Sequence, residues 1–206
     1  MTSRTRLAAL ALVVAAPLGS LAQPKAKPPA DKKDPQSQIE PRSGPGPGQK
    51  FLERFVGDWD VVKTFHPRQG EPVGAKGTCR QEMIHGGRFL RSEFTFDGPA
   101  GKTTGTGMIG FETDTGLFTS SWVDSRSTRM SLRRSKDKFE GGEIVLFSRT
   151  LDEGGREARP SRTVTRLEDD GRKIVHRQYS PGPDGTERLV MELLMTRKAE
   201  PKAGGR

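Results

Sequence analysis

From Trp59 to Arg197 the sequence is cut by turn residues into short segments of alternating polarity, and this punctuation limits the fold more than any other feature. Strand-length runs fall at about 58–66, 76–85, 88–97, 103–112, 116–124, 127–134, 139–148, 161–168, 172–180 and 186–197. The breaks between them are hairpin-type: His85-Gly86-Gly87-Arg88, Gly98-Pro99-Ala100-Gly101, Thr113-Asp114-Thr115-Gly116 and Asp169-Asp170-Gly171. Such breaks supply the positive φ angles and local hydrogen bonds that reverse a strand. Pro181 to Gly185 is a longer connection, and Leu151 to Pro160 is the longest and most charged. About ten strands joined in this way predict an all-β fold, a single antiparallel up-and-down barrel. Closure removes the exposed edges that would otherwise pair with other chains.

A short helical turn precedes the first strand. Phe51, Leu52 and Phe55 fall on one side of it, and Trp59 opens the alternating run that ends at Phe65. A helix this short does not hold alone in water. It needs an apolar surface, and the end of a closed sheet offers one. Phe55 and Trp59 are therefore expected to plug the barrel.

The chain divides into four parts on composition. Residues 1–22 read as a signal peptide, with Arg4 and Arg6 before the apolar run Leu7–Leu18 and small residues before a cleavage point after Ala22. That run is too short to span a bilayer. Residues 23–48 form a disordered linker rich in Pro, Lys and Gly, which has too little apolar surface to bury. Residues 49–198 form the barrel, and 199–206 a disordered tail. The expected location is therefore outside the cytoplasm, periplasmic or secreted, with no membrane anchor once the signal is removed. Formal net charge is +9, but part of the surplus lies in the tails. The remaining weakly basic domain, with 6% aromatic residues in the chain, does not fit a nucleic-acid surface, which needs stacking rings among its cations. Cys79 is the single cysteine. No internal disulfide is possible, and Cys79 reads as a small buried hydrophobe.

Several residues carry a local likeness to known proteins. Gly57-Asp58-Trp59 after a helical turn resembles the Gly-x-Trp start of the lipocalin-like, or calycin, barrels. Gly105-x-Gly107 with Ile109-Gly110-Phe111-Glu112, then Phe118 to Ser125, then Val190-Met191-Glu192 resemble in order a bacterial family catalogued as a domain of unknown function. Its members are small, often exported and lipocalin-like. The likeness spans about residues 49–198. It implies a fold and brings no activity.

Site candidates follow from the alternation. Phe94, Phe96, Phe118, Leu189, Met191, Leu193 and Met195 supply an apolar interior, with the methionines able to adapt to an irregular guest. Gly105 and Gly107 mark a tight bend or a close approach. Trp122 and Asp124 could line a mouth, or Asp124 could cap its turn. Arg177 and Tyr179 are similar to the Arg-x-Tyr pair with which fatty-acid-binding proteins hold a carboxylate. The ligand-binding candidates are thus Phe94, Trp122, Asp124, Arg177, Tyr179 and Met191. His66, His85 and His176 show no metal-ligand spacing. Among them His176 would be the haem ligand if an apolar cleft surrounded it. No catalytic residue, metal or cofactor is assigned. The expected function is binding of a small amphipathic or apolar molecule. The alternatives are a filled structural or interaction barrel, and an enzyme with a polar site at the barrel mouth.

Overall fold

The computed structural model describes residues 39, 42–98, 101–148, 161–182 and 184–199. The signal peptide, most of the linker, the charged connection 151–160 and all but the first residue of the tail lie outside the described residues.

Helix α1 (Pro47–Glu53) leads into ten strands: β1 (Gly57–Phe65), β2 (Val73–Ile84), β3 (Phe89–Gly98), β4 (Gly101–Glu112), β5 (Leu117–Asp124), β6 (Ser127–Arg134), β7 (Glu143–Ser148), β8 (Arg162–Glu168), β9 (Lys173–Pro181) and β10 (Glu187–Arg197). Each strand pairs antiparallel with the next, and β10 returns to β1, giving a closed up-and-down barrel. The closing register runs from Trp59 opposite Arg197 to Phe65 opposite Met191. Among the described residues, β6 and β7 pair at Arg133–Ser148 and Arg134–Phe147.

The helix starts at Pro47, earlier than the apolar spacing suggests and inside the Gly/Pro run read as linker. Proline suits the first helical turn because its missing N–H has no helical partner there. Gln49 completes the start. Its side-chain oxygen accepts from the Gly46 amide at 2.8 Å, and its amide donates to the Phe111 carbonyl at 2.8 Å. This buried glutamine ties α1 to β4.

One end of the barrel is sealed by aromatic packing. Leu52, Phe55 and Trp59 are buried, as is Phe51. Phe51 meets the rings of Phe55 and Phe139, and Phe139 in turn meets Phe111 and Phe118. The Trp59 indole N–H donates to the Phe55 carbonyl at 3.0 Å, which satisfies the polar atom of a fully buried ring. Arg197 lies over a face of that indole, 4.2 Å from the ring centre. Its guanidinium also donates to the carbonyls of Arg54 and Gly171 at 2.7 and 3.0 Å. Gly57 has φ +138°, and a Cβ there would sit 2.5 Å from Arg197 Nη1. Glycine thus serves both the turn and the room that Arg197 needs.

The two glycines of β4 have a specific role. The Trp122 indole from β5 lies flat against the inner wall at Gly105 and Gly107. A Cβ on Gly105 would come within 2.3 Å of Trp122 Cζ2. The indole must then move, so Gly105→Ala should cost about 1–3 kcal/mol by overpacking. Urea unfolding and near-ultraviolet circular dichroism check this. Unchanged stability with an unchanged tryptophan band would show that the wall has room to spare.

Candidate functional site

The interior of the barrel holds a cavity of about 250 Å³. It opens where Phe65 and Arg126, both exposed, form part of its lining. Its apolar wall includes Phe94, Phe96, Trp122, Met191, Leu193 and Met195. Phe94 stacks on Phe96 and meets Trp122 edge-on at 5.5 Å.

The polar side of the lining was largely unread from the sequence. Strand alternation in β9 turns Ile174, His176 and Gln178 inward, with Thr163 and Thr165 beside them on β8. Thr165 Oγ1 lies 2.8 Å from His176 Nδ1. Across the barrel Gln81 donates to Ser92 Oγ at 2.9 Å, and the Gln81 side-chain oxygen has no protein partner. Two cations also enter. Lys63 is 7% exposed and reaches in from β1. Arg133 reaches in from β6, and its Nε has no hydrogen-bond partner among the described residues. Among the described residues neither Lys63 nor Arg133 makes an ion pair.

These surroundings change the ionisation of the lining groups. Burial, with the Arg133 charge as a secondary cause, lowers His176 to about 4. Its partial exposure is cavity surface, because the ring lines the cavity. Burial, then the nearby Arg126 charge, lowers Lys63 to about 8 despite an opposing pull from Asp124. Burial likewise disfavours the charge on Arg133. Away from the cavity, burial pushes the Cys79 thiol far above its ordinary value, so Cys79 is an inert core group rather than a nucleophile.

The residues expected to bind ligand divide three ways. Phe94, Trp122 and Met191 line the cavity. Asp124 stands behind it. Its carboxylate accepts from the Trp122 indole N–H at 3.0 Å, from Arg126 Nη2 at 2.7 Å and from the Arg126 amide at 2.9 Å. The Arg126 hydrogen bond is the main reason that its carboxyl is held well below the usual carboxylate range. Asp124 thus orients the cavity wall and shapes the turn without joining the lining.

Arg177 and Tyr179 take neither place. They have the opposite parity to His176 and Gln178 and stand on the outer face of β9. Arg177 Nε donates to Glu192 Oε2 at 2.6 Å, and the Tyr179 ring is covered by the Arg162 guanidinium at 4.5 Å. The expected carboxylate clamp is therefore corrected, because the middle residue of Arg177-Gln178-Tyr179 is the one that faces in. Leu189 is corrected too. The β10 bulge sets Leu189 opposite Tyr179 but Met191 opposite Gln178, so the alternation reverses between them. Leu189 consequently leaves the face shared by Met191, Leu193 and Met195. Phe118 belongs to the sealed end rather than to the lining. Phe55 and Trp59 are both buried.

Among the described residues no cluster of His, Cys, Asp or Glu could hold a metal ion. Among the described residues, the site is an apolar pocket with a few hydrogen-bonding groups and two cations without acidic partners, inside a closed antiparallel barrel. That description defines a class by shape, and comparison narrows it. A family model described as "Protein of unknown function (DUF1579)" matches residues 44–197, and the chain belongs to that family. The crystal structure of Rv2717c from M. tuberculosis is similar in fold, with a TM-score of 0.55 at 14% identity. That match covers 76% of this chain and 100% of the other. No curated protein matches the chain.

His176 gives the site a measurable pH signature. In the unfolded chain it takes up a proton near 6.5, and in the folded chain only near 4. The unfolded state therefore binds more protons between those values, and the stabilisation present at neutral pH is lost as pH falls through that window. The expected loss is about 2–3 kcal/mol from neutral pH to about pH 4. Urea unfolding of the protein and of His176→Gln isolates it, since other acids titrate alike in both. Parallel pH curves would show that the ring protonates freely in the folded barrel.

Proposed function

We propose that the barrel reversibly binds one small amphipathic anion, with its apolar part against Phe94, Phe96, Trp122 and Met191. The observation that carries this reading is Arg133, a guanidinium inside the cavity that, among the described residues, has an unpartnered Nε and no carboxylate beside it. Holding an unpaired charge in a low-dielectric interior is costly. A ligand carboxylate would offset that cost and complete the hydrogen bonding through a planar, bidentate fit. Gln178, Thr163 and Ser120 offer neutral partners in the same lining. A barrel of this kind can enclose a single small guest. The space itself favours this reading over a filled structural core.

The proposal includes export, with the domain acting outside the cytoplasm after cleavage near Ala22. The positive residues and short apolar run at the start of the sequence support it. Intact-mass measurement of the protein from its own cells should give a chain starting at Gln23. Recovery of the full-length chain from the cytosol would overturn that part alone.

The anion reading is tested with octanoate and octanol as paired probes, by calorimetry and native mass spectrometry. A charge-assisted bond contributes about 1.5–3 kcal/mol, so Arg133→Gln should weaken octanoate binding roughly tenfold or more. Octanol should lose little. Arg177→Ala, on the outer face, should change neither. Equal losses for both probes in Arg133→Gln, or no octanoate binding by the unaltered protein, would reject the anion reading.

A further inference from the structure

Lys63 has a second chemical possibility that the anion reading does not use. Its Nζ is flanked by the rings of Phe96 and Phe65, 4.1 and 4.7 Å from their centres. The residue is 7% exposed and lines the cavity. Among the described residues it has no hydrogen bond and no ion pair. Two charged groups face it across the mouth, Arg126 and Asp124, and these are bonded to each other. An amine desolvated in an apolar pocket beside another cation is the arrangement that makes lysine a nucleophile.

We propose that Lys63 is a covalent capture site for small apolar aldehydes, held as a reversible imine. The aromatic walls attract the apolar body of such a compound and leave its carbonyl carbon beside the amine. The nitrogen lone pair adds to that carbon to give a carbinolamine. The carbonyl oxygen then leaves as water, taking the two protons that nitrogen gives up, and a C=N bond remains. No oxidant or reductant is consumed, and water reverses the reaction. Burial and the Arg126 charge bring Lys63 down to about 8. Near neutral pH its reactive, uncharged fraction is then roughly a hundredfold above that of an ordinary exposed lysine.

The shared cavity is the sole link to the anion reading, and the two fail separately. The test treats the full chain with benzaldehyde and sodium cyanoborohydride, which fixes an imine as a benzylamine, and maps the labelled peptides over time. Lys76, exposed on β2, is the internal reference. Lys63 should label at least tenfold faster than Lys76. Lys63→Met and Lys63→Arg should both abolish the fast phase, with circular dichroism confirming the fold. Equal rates at Lys63 and Lys76, or no label on Lys63 in the folded protein, would overturn the proposal. Octanoate binding is read without aldehyde, so its failure leaves the labelling result standing, and the reverse also holds.

Discussion

Closure of the sheet between β1 and β10 is the constraint on which the rest of the structure depends. It fixes Trp59 opposite Arg197 and thereby builds the sealed end. The contact works on several levels at once. The indole is removed from water, its N–H is satisfied by Phe55, and the guanidinium covers its face while bonding backbone carbonyls from the α1–β1 connection and the β8–β9 turn. A cation over an indole adds about 0.5–2 kcal/mol to what burial alone provides. More important is that one side chain near the C-terminal end of the barrel holds the start of its first strand. Without that closure, β1 and β10 would each present an unpaired edge.

A sealed end allows a less complete interior. The aromatic cluster of Phe51, Phe111, Phe118 and Phe139 provides dense burial at one level of the barrel. Further along the strands the inward positions go to Lys63, Gln81, Ser92, Arg133, Thr163 and His176. Interiors normally approach crystal-like packing, and buried polar groups normally find partners. This one leaves space, an orphan guanidinium nitrogen and an orphan amide oxygen together. Among the described residues, His66, Arg91 and Arg134 also carry an orphan nitrogen, but only at Gln81 and Arg133 does the orphan atom's residue line the open space, which is what a binding site requires.

The architecture was legible because its signals are local. Turn residues such as His85-Gly86-Gly87 and Asp169-Asp170-Gly171 reverse the chain through backbone angles that the structure shows as positive φ. Gly105-x-Gly107 announced a close approach, though not that the approaching group is Trp122. The site was less legible because it depends on parity, which a single residue can reverse. The bulge in β10 did so for Leu189, and a one-position shift placed Arg177 and Tyr179 outside. Lys63 could have been found, since it shares the face of Trp59 and Val61 at successive alternate positions of β1. The expectation that lysine faces solvent concealed it. Arg133 was harder. It stands next to Arg134 at the end of β6, and two adjacent arginines read as a solvated strand end rather than as one residue turned inward.

The two ends of the barrel are held by different physics, and this bears on how the cavity is reached. The sealed end relies on apolar burial and on the Arg197 guanidinium, a cation that does not titrate at ordinary pH. The mouth relies on charge. Arg126 holds Asp124, Asp124 holds the Trp122 indole, and Trp122 lies on the two glycines of β4. Arg126 is therefore both an exposed residue of the opening and, through one carboxylate, the support of the inner wall. Its side chain is 47% exposed while that of Asp124 is 11% exposed. The outer link of the latch thus meets solvent and salt, and the inner links are sheltered from both. Because the Arg126 hydrogen bond holds the Asp124 carboxyl well below its ordinary range, the latch stays ionised in mildly acidic as well as neutral solution. What reaches Lys63 and Arg133 must pass a mouth that is fixed in charge, and the polarity of the cavity changes instead with Lys63, the lining group that titrates nearest to neutral pH.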